Sequence, residues 1–176
     1  MNKLRIDIGR VIIDGSSHPD GGDTAFFQGD RATLLRTPAV PGAFEAIARL
    51  TTLFKGQAWL VSKAGPRVQQ RTLQWLEHHD FYGRTGIPAD HVRFCLRRAD
   101  KAVHCAELGI THFIDDKPDV HEALAGIVAH RYLFDRRHHL PAGVSRTPTW
   151  PTAETAITQS FEPLPHFPLA EVESYL

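Results

Sequence analysis

The sequence has few cysteines, no excess of charge of either sign and no long apolar run. Its 176 residues include only two cysteines, Cys95 and Cys105. They lack zinc-ligand spacing, so two reduced, half-buried thiols are expected. Lysine plus arginine and aspartate plus glutamate number 20 each, which gives no argument for a nucleic-acid duplex or a membrane as partner. No run of 18 apolar residues or apolar N-terminal leader occurs, so we expect a cytoplasmic protein without a membrane span.

Length and histidine content set two further expectations. The chain is long enough for one domain with a full core and too short for two ordinary ones. Eleven histidines are many, and the pairs His78-His79 and His138-His139 raise the question of a metal site. Adjacent side chains diverge on a helix and alternate across a strand, and no partner at metal-ligand spacing accompanies the pairs. A histidine metal centre is therefore not expected.

The first apolar pattern lies close to the N-terminus. Apolar residues alternate with polar ones from Leu4 to Ile8 and residues 11–13 are apolar, which predicts a strand and the turn that ends it over residues 3–14. Asp7 would point its carboxylate out of the C-terminal edge of this strand, where open α/β sheets bind their ligands. A solvated aspartate in an Asp-x-Gly turn is the alternative interpretation of this stretch alone.

The rest of the chain alternates helix and strand signals, with helices ended by glycine or started by proline. Residues 16–38 are predicted to be loop, with at most one short element around residues 25–28, and residues 80–88 are predicted to be a linker. In the second helix Val68, Leu73 and Leu76 are the expected buried positions, flanked by Trp75. Helices are predicted over residues 43–54, 66–79, 99–108, 118–125 and 152–161, and further strands over 58–61, 92–95, 111–114 and 127–134.

About five alternations of strand and helix predict an α/β protein with a parallel, three-layer Rossmann-like sheet. We expect the α/β core over residues 1–140, with a small loop insert at residues 14–40 that leaves a minimal cap domain or none. The proline-rich residues 141–176 are expected to pack on this core.

Acidic and hydroxyl side chains end three of the predicted strands. Right-handed crossovers would bring Asp7, Ser62, Asp115 and Asp116 to one edge of the sheet. A phosphoryl group carries negative charge that must be neutralised before a carboxylate can attack it, and Mg²⁺ held by carboxylates does this. Ser62 at a helix start could donate a hydrogen bond to phosphate, and Lys101 could hold nucleophile and phosphate together. A helix cap for Ser62 and a solvated lysine for Lys101 are the plainer interpretations.

These residues resemble, in order, the four motifs of the haloacid dehalogenase superfamily of phosphatases. Asp7 matches the nucleophile, Ser62 the second-motif hydroxyl, Lys101 the third-motif lysine, and Asp115 with Asp116 the acidic fourth motif. The similarity implies the fold of that superfamily across roughly residues 3–135. Three stretches resemble its 5'(3')-deoxyribonucleotidase and small-cap branch: Pro41-Gly42-Ala43-Phe44-Glu45, Val61-Ser62-Lys63 and Phe113-Ile114-Asp115-Asp116-Lys117-Pro118.

The resemblance implies a role for each matched position and Mg²⁺ as cofactor. The substrate would be a nucleotide or another small phosphate, and the reaction would pass through an aspartyl-phosphate on Asp7. The implied catalytic residues are Asp7, Ser62 and Lys101, the implied substrate-binding residues are Ser62, Lys63 and Arg10, and the implied metal site comprises Asp7, Gly9, Asp115 and Asp116.

One position departs from the family pattern. Phosphatases of this superfamily usually carry a second aspartate two residues after the nucleophile, as general acid and then base, and this chain has Gly9 there. Loss of such a group typically lowers a rate by about 10² to 10⁴. Three hypotheses follow: a Mg²⁺-dependent hydrolase of phosphate monoesters, a weak or inactive phosphate-binding or interaction protein, and a carbon–halogen hydrolase. The last would not need Mg²⁺, and the paired Asp115 and Asp116 argue against it.

Overall fold

The computed structural model describes residues 1–17 and 29–161 of the chain. Their strands form one six-stranded sheet in which every pair is parallel, in the order β3-β2-β1-β4-β5-β6. This confirms the predicted α/β class with a parallel Rossmann-like sheet. The strands are β1 (Leu4–Ile6), β2 (Ala58–Lys63), β3 (Val92–Cys95), β4 (His112–Asp115), β5 (His130–Leu133) and β6 (Val144–Arg146).

Helices connect the strands and cover both faces of the sheet. No helix of the described residues is long and apolar enough to cross a membrane. Two short 3₁₀ turns lie at Gly15–Ser17 and Ala89–His91. The helices are α1 (Arg31–Arg36), α2 (Ala43–Leu53), α3 (Pro66–His78), α4 (Phe81–Thr85), α5 (Asp100–Leu108), α6 (Pro118–Ala123) and α7 (Trp150–Gln159).

The alternation of side chains along the central strands divides the core in two. On β1, Leu4 and Ile6 join the larger apolar cluster, which is completed by α1, α2, α3, α4 and α7. On the neighbouring strands Trp59 and Phe113 face the other way, into a smaller cluster with α5 and α6. Because β1 is covered on both faces, Arg5 between its two apolar neighbours is also fully buried.

The order of the strands fixes where a ligand can bind. From β1 the chain builds β2 and β3 on one side, then crosses back to place β4 on the other side of β1. In such sheets the crevice beyond the carboxyl ends of the strands, at the point where the order reverses, is the usual binding site. Ile6 pairs with Leu60 and Ile114 at this edge, so the residues that follow these positions meet there.

Strand β1 ends at Ile6, and the apolar residues 11–13 belong to the buried turn that follows it. Several local predictions were wrong. Helices α1 and α4 lie in segments predicted to be loop and linker, and β6 was not predicted. The short element suggested around residues 25–28 lies outside the described residues.

In α3 the prediction of buried positions was partly wrong. Trp75 is fully buried, whereas Leu73 is 41% exposed. The indole N–H of Trp75 donates to the carbonyl of Thr37 at 2.9 Å, which allows the ring to sit in the core with its polar atom satisfied.

Candidate active site

Three carboxylates meet at the carboxyl edge of β1 and β4. Asp7 follows β1 directly, Asp115 ends β4 and Asp116 comes next. One oxygen of each lies within 4.8 Å of the others, and all three residues are buried. The parallel pairing continues past β1, since the backbone N–H of Asp7 donates to the carbonyl of Ile114 at 3.0 Å. The sheet itself therefore assembles the cluster.

Lys101 lies in the first turn of α5 and pairs with two of the carboxylates. Its Nζ is 2.8 Å from Asp7 Oδ1 and 2.6 Å from Asp115 Oδ2, and its side chain is 4% exposed. Burial disfavours the ammonium, but the charges of Asp7 and Asp115 outweigh it and raise the pKa of Lys101. Lys101 is thus a fixed cation at physiological pH.

Burial and the closeness of the three carboxylates raise the pKa values of two of them, Asp7 and Asp116. Burial, then the charges of Asp7 and Asp115, raise the pKa of Asp116 to about 7, although the ammonium of Lys117 lies 3.1 Å away. The pKa of Asp7 is also raised, first by burial and then by Asp115, against the opposing effect of Lys101. A hard divalent cation would relieve this repulsion, and carboxylate oxygens are the ligands that Mg²⁺ prefers. The residues present therefore fit a Mg²⁺ site.

Asp115 is held from two sides. Its Oδ2 accepts from Lys101 and its Oδ1 accepts the backbone N–H of Lys117 at 2.9 Å. Its backbone carbonyl lies 3.0 Å from His121 Nε2. Each carboxylate oxygen has a second lone pair, so Asp115 can orient Lys101 and still face a metal ion.

A cavity of about 240 Å³ opens above the cluster. Asp115 lies beneath Lys101 with no exposed surface, and all the other site residues that the sequence pointed to line this cavity. The structure thus brings the predicted set together. The lining residues from that set are Asp7, Gly9, Arg10, Ser62, Lys63, Lys101 and Asp116.

The cavity wall also includes residues that the sequence analysis did not single out. Arg98 and Lys117 line it, and with Lys63 and Arg10 they surround the carboxylates with cations. Arg98 lies two residues before α5, with Nη1 3.4 Å from Asp119 Oδ2. Its position three residues before Lys101 in the sequence was the available signal, because the start of a helix that brings one cation to the sheet edge brings nearby residues there too.

Arg5 supports the cluster from below and was also missed. Its Nη1 donates to the carbonyl of Lys101 at 2.8 Å and to Cys105 Sγ at 2.6 Å. The guanidinium lies 4.7 Å from the centre of the Phe113 ring, and its charge is among the effects that oppose the rise in the pKa of Asp7. A polar residue in a central parallel strand is necessarily buried, so its place in β1 was the signal.

Two adjacent residues shape the cavity mouth. A Cβ added to Gly9 would meet no atom within 4 Å, so the position is open to a side chain. Arg10 has φ of +62°, an uncommon value outside glycine that occurs at constrained sites. The turn is closed by the N–H of Arg10, which donates to the carbonyl of Ile13 at 3.0 Å.

No protein-family model matches the chain, and a search of curated proteins finds no match either. The resemblance to the haloacid dehalogenase superfamily therefore rests on the motif residues of the sequence.

Proposed function

We propose that the chain is a Mg²⁺-dependent hydrolase of small phosphate monoesters related to the haloacid dehalogenase superfamily. The observation that carries the proposal is the buried cluster in which Lys101 bridges Asp7 and Asp115 beside Asp116. Its cavity is lined by the cations of Lys63, Arg98 and other residues, as an anionic substrate requires.

Each residue has a defined part in the proposed reaction. A carboxylate oxygen of Asp7 forms a bond to phosphorus while the bond from phosphorus to the alcohol oxygen breaks. Lys101 keeps Asp7 oriented and offsets the charge of the transferred group. Ser62, at the mouth of α3, donates to a phosphate oxygen with Lys63 beside it.

The metal site and the second half of the reaction follow from the same groups. Asp7, Asp116 and Asp115, with the carbonyl of Gly9, would hold Mg²⁺, which when bound supplies positive charge against the phosphate oxygens. The departing alcohol oxygen takes its proton from water, because Gly9 offers none. Water then attacks the aspartyl-phosphate, releasing inorganic phosphate and restoring Asp7.

The direct test is phosphate release from a panel of nucleotide and sugar monophosphates with Mg²⁺. We expect release by the natural protein and none above background by Asp7→Asn. Asp90→Asn is the matched control, because Asp90 is an exposed aspartate far from the cavity. Release that persists in Asp7→Asn would refute the proposal.

Metal binding is tested separately from turnover. If the carboxylates hold Mg²⁺, the ion should raise the melting temperature, because a ligand at about 100 times its dissociation constant stabilises the folded state by about 2.7 kcal/mol. We expect Asp116→Asn to lose this rise and Asp90→Asn to keep it in thermal scans with and without Mg²⁺. An unchanged response in Asp116→Asn would remove Asp116 from the metal site.

A binding module without turnover is the second candidate, and Gly9 is the observation that favours it. Such a protein would bind phosphate and Mg²⁺ in the same cavity yet release no phosphate from any ester. A carbon–halogen hydrolase would have no need of Mg²⁺ and leaves the crowding of Asp115 and Asp116 without a purpose.

A further inference from the structure

A second cavity adjoins the first on the side of β5. Its volume is about 560 Å³, and Arg10 and Asp116 line both cavities. Pockets for small organic ligands usually measure about 300–1,000 Å³, so the first cavity alone is small for a phosphate with more than a short organic part. The remainder of a substrate has room in the second cavity, past Arg10.

The loop that follows β5 forms one wall of this second cavity and is held in a fixed turn. The carboxylate of Asp135 accepts the backbone N–H groups of Arg137 and His138, both at 2.6 Å. The backbone carbonyl of Asp135 accepts a hydrogen bond from Nη1 of Arg146 in β6 at 3.0 Å. Burial opposes ionisation here, but the hydrogen bonds from the turn outweigh it and lower the pKa of Asp135. The turn is therefore built around an ionised carboxylate.

The aspartates that line the second cavity already have partners. Asp135 is engaged by its own turn, and Asp14 accepts the backbone N–H of Ser16 at 3.0 Å and its hydroxyl at 2.5 Å. Asp116 belongs to the proposed metal site. Among the described residues, none of these carboxylates forms an ion pair with the arginines whose positive charge faces the cavity.

Arg136 and Arg137 provide that positive charge. Both are exposed, both line the cavity, and neither side chain forms an ion pair with any residue of 1–17 or 29–161. The planar fork of a guanidinium matches the oxygens of a phosphate or carboxylate in a bidentate manner. Two such groups on one braced turn form a site for an anion.

We propose that the substrate carries a second anionic group, a phosphate or a carboxylate, which Arg136 and Arg137 bind in this cavity. The inference rests on the function proposed above and specifies its substrate class. The ester phosphate would lie at the carboxylate cluster and the second anion at the turn, with Arg10 between them.

The test uses binding of alkylphosphonates, which cannot be hydrolysed. Calorimetry with the natural protein and Mg²⁺ compares an alkylphosphonate, the matching α,ω-bisphosphonate and the matching ω-phosphonoalkanoate over several chain lengths. We expect one doubly anionic series to bind about 10-fold tighter at an optimal length, beyond the statistical advantage of two identical ends. The series that gains identifies the second anion as phosphate or carboxylate.

Charge-removing variants locate the second anion. Arg136→Gln and Arg137→Gln should lose the gain and keep their affinity for the monophosphonate. Lys55→Gln, an exposed lysine just before the amino end of β2, removes the same charge at the opposite edge and should change neither.

Failure of this inference is separable from failure of the proposed function. Equal binding of singly and doubly anionic ligands, a gain that survives in both arginine variants, or no binding of any doubly anionic ligand would overturn the inference. A gain that depends on Arg136 or Arg137, without phosphate release from any ester, would instead overturn turnover and leave the anion site in place.

Discussion

Gly9 occupies the position at which phosphatases of the superfamily that the motifs resemble carry their general acid, and its backbone would accept a side chain. Its φ is outside the left-handed region and the space beyond its Cα is open. Glycine is thus not required there by conformation or by packing. Its consequence is chemical, because no carboxylate at this point can protonate a leaving alcohol.

The missing acid predicts a dependence on the leaving group. An aryl phosphate, whose phenolate departs without a proton, should be cleaved much faster than an alkyl or sugar phosphate. Gly9→Asp should raise the rate on the alkyl ester by about 10-fold or more, and more than on the aryl ester. Gly9→Asn, similar in size but without an acid, should not. Equal rates on both ester types in the natural protein would show that another group supplies the proton.

Lys101 predicts a large effect on stability. Removing one partner of a buried ion pair leaves uncompensated charge and typically lowers the free energy of unfolding by about 3–5 kcal/mol. We expect a loss of this size for Lys101→Met in urea titrations without Mg²⁺. Lys3→Met, which removes a half-buried lysine bonded to the carbonyl of Leu108, is the control and should cost about 1 kcal/mol. A loss in Lys101→Met as small as in the control would contradict the pairing seen here.

At the level of secondary structure, the spacing of apolar residues and the residues that start or end helices predicted the main strands and helices. The helix predicted over residues 66–79 is α3, because Pro66 starts it, and the helix that Gly109 ends is α5. The motif side chains met as expected, since parallel strands bring their carboxyl ends together. The predictions that failed concern short elements that depend on tertiary contacts. Helices α1 and α4 have six and five residues, and β6 has only three.

The wall of the second cavity likewise could not be predicted from the sequence. Its arginines follow β5 in a turn whose shape depends on Arg146 of β6. Because β6 was not predicted, nothing in the sequence indicated where Arg136 and Arg137 would point. The four motifs located the reaction centre, whereas the surrounding wall required the complete sheet.

Helix α7 braces the turn that carries Gly9 and Arg10. Trp150 is fully buried, and its indole N–H donates to the carbonyl of Val11 at 2.7 Å. Trp150→Phe leaves that carbonyl unsatisfied, so the free energy of unfolding should fall by about 1–3 kcal/mol beyond the change in volume.

Trp59→Phe is the matched control for this substitution. Trp59 is also buried, and its indole N–H makes no hydrogen bond to the described part of the chain. Denaturant titration of both variants isolates the hydrogen bond. Equal losses would mean that the contact between α7 and Val11 contributes nothing beyond packing.

For the whole molecule, the two edges of the sheet have different roles. The carboxyl edge gathers the three carboxylates and the cations around them, whereas the contacts of His112 at the amino edge are uncharged. There His112 begins β4, with Nδ1 2.7 Å from the hydroxyl of Thr111 and Nε2 2.8 Å from that of Ser160. Its ring stacks on His130 with centroids 4.4 Å apart. A protonated His112 would disrupt this arrangement.

The amino edge therefore makes stability depend on pH. Burial, and then the charge of His130, lower the pKa of His112 to about 3 from 6.5. The unfolded chain binds a proton at His112 below about pH 6.5 while the folded protein does not, so stability falls as pH decreases through this window. Between pH 8 and pH 5 this one group should lower the free energy of unfolding by about 2 kcal/mol.

Denaturant titrations at several pH values test this, with His112→Asn compared to the natural protein. The variant should be less stable at pH 8, yet its free energy of unfolding should fall by about 2 kcal/mol less on acidification. Other buried histidines, including His121 with its pKa lowered to about 4 by burial, add to the total slope but not to this difference. Parallel curves for the natural protein and His112→Asn would mean that His112 is protonated in the folded state, and that the amino edge tolerates the charge its contacts exclude.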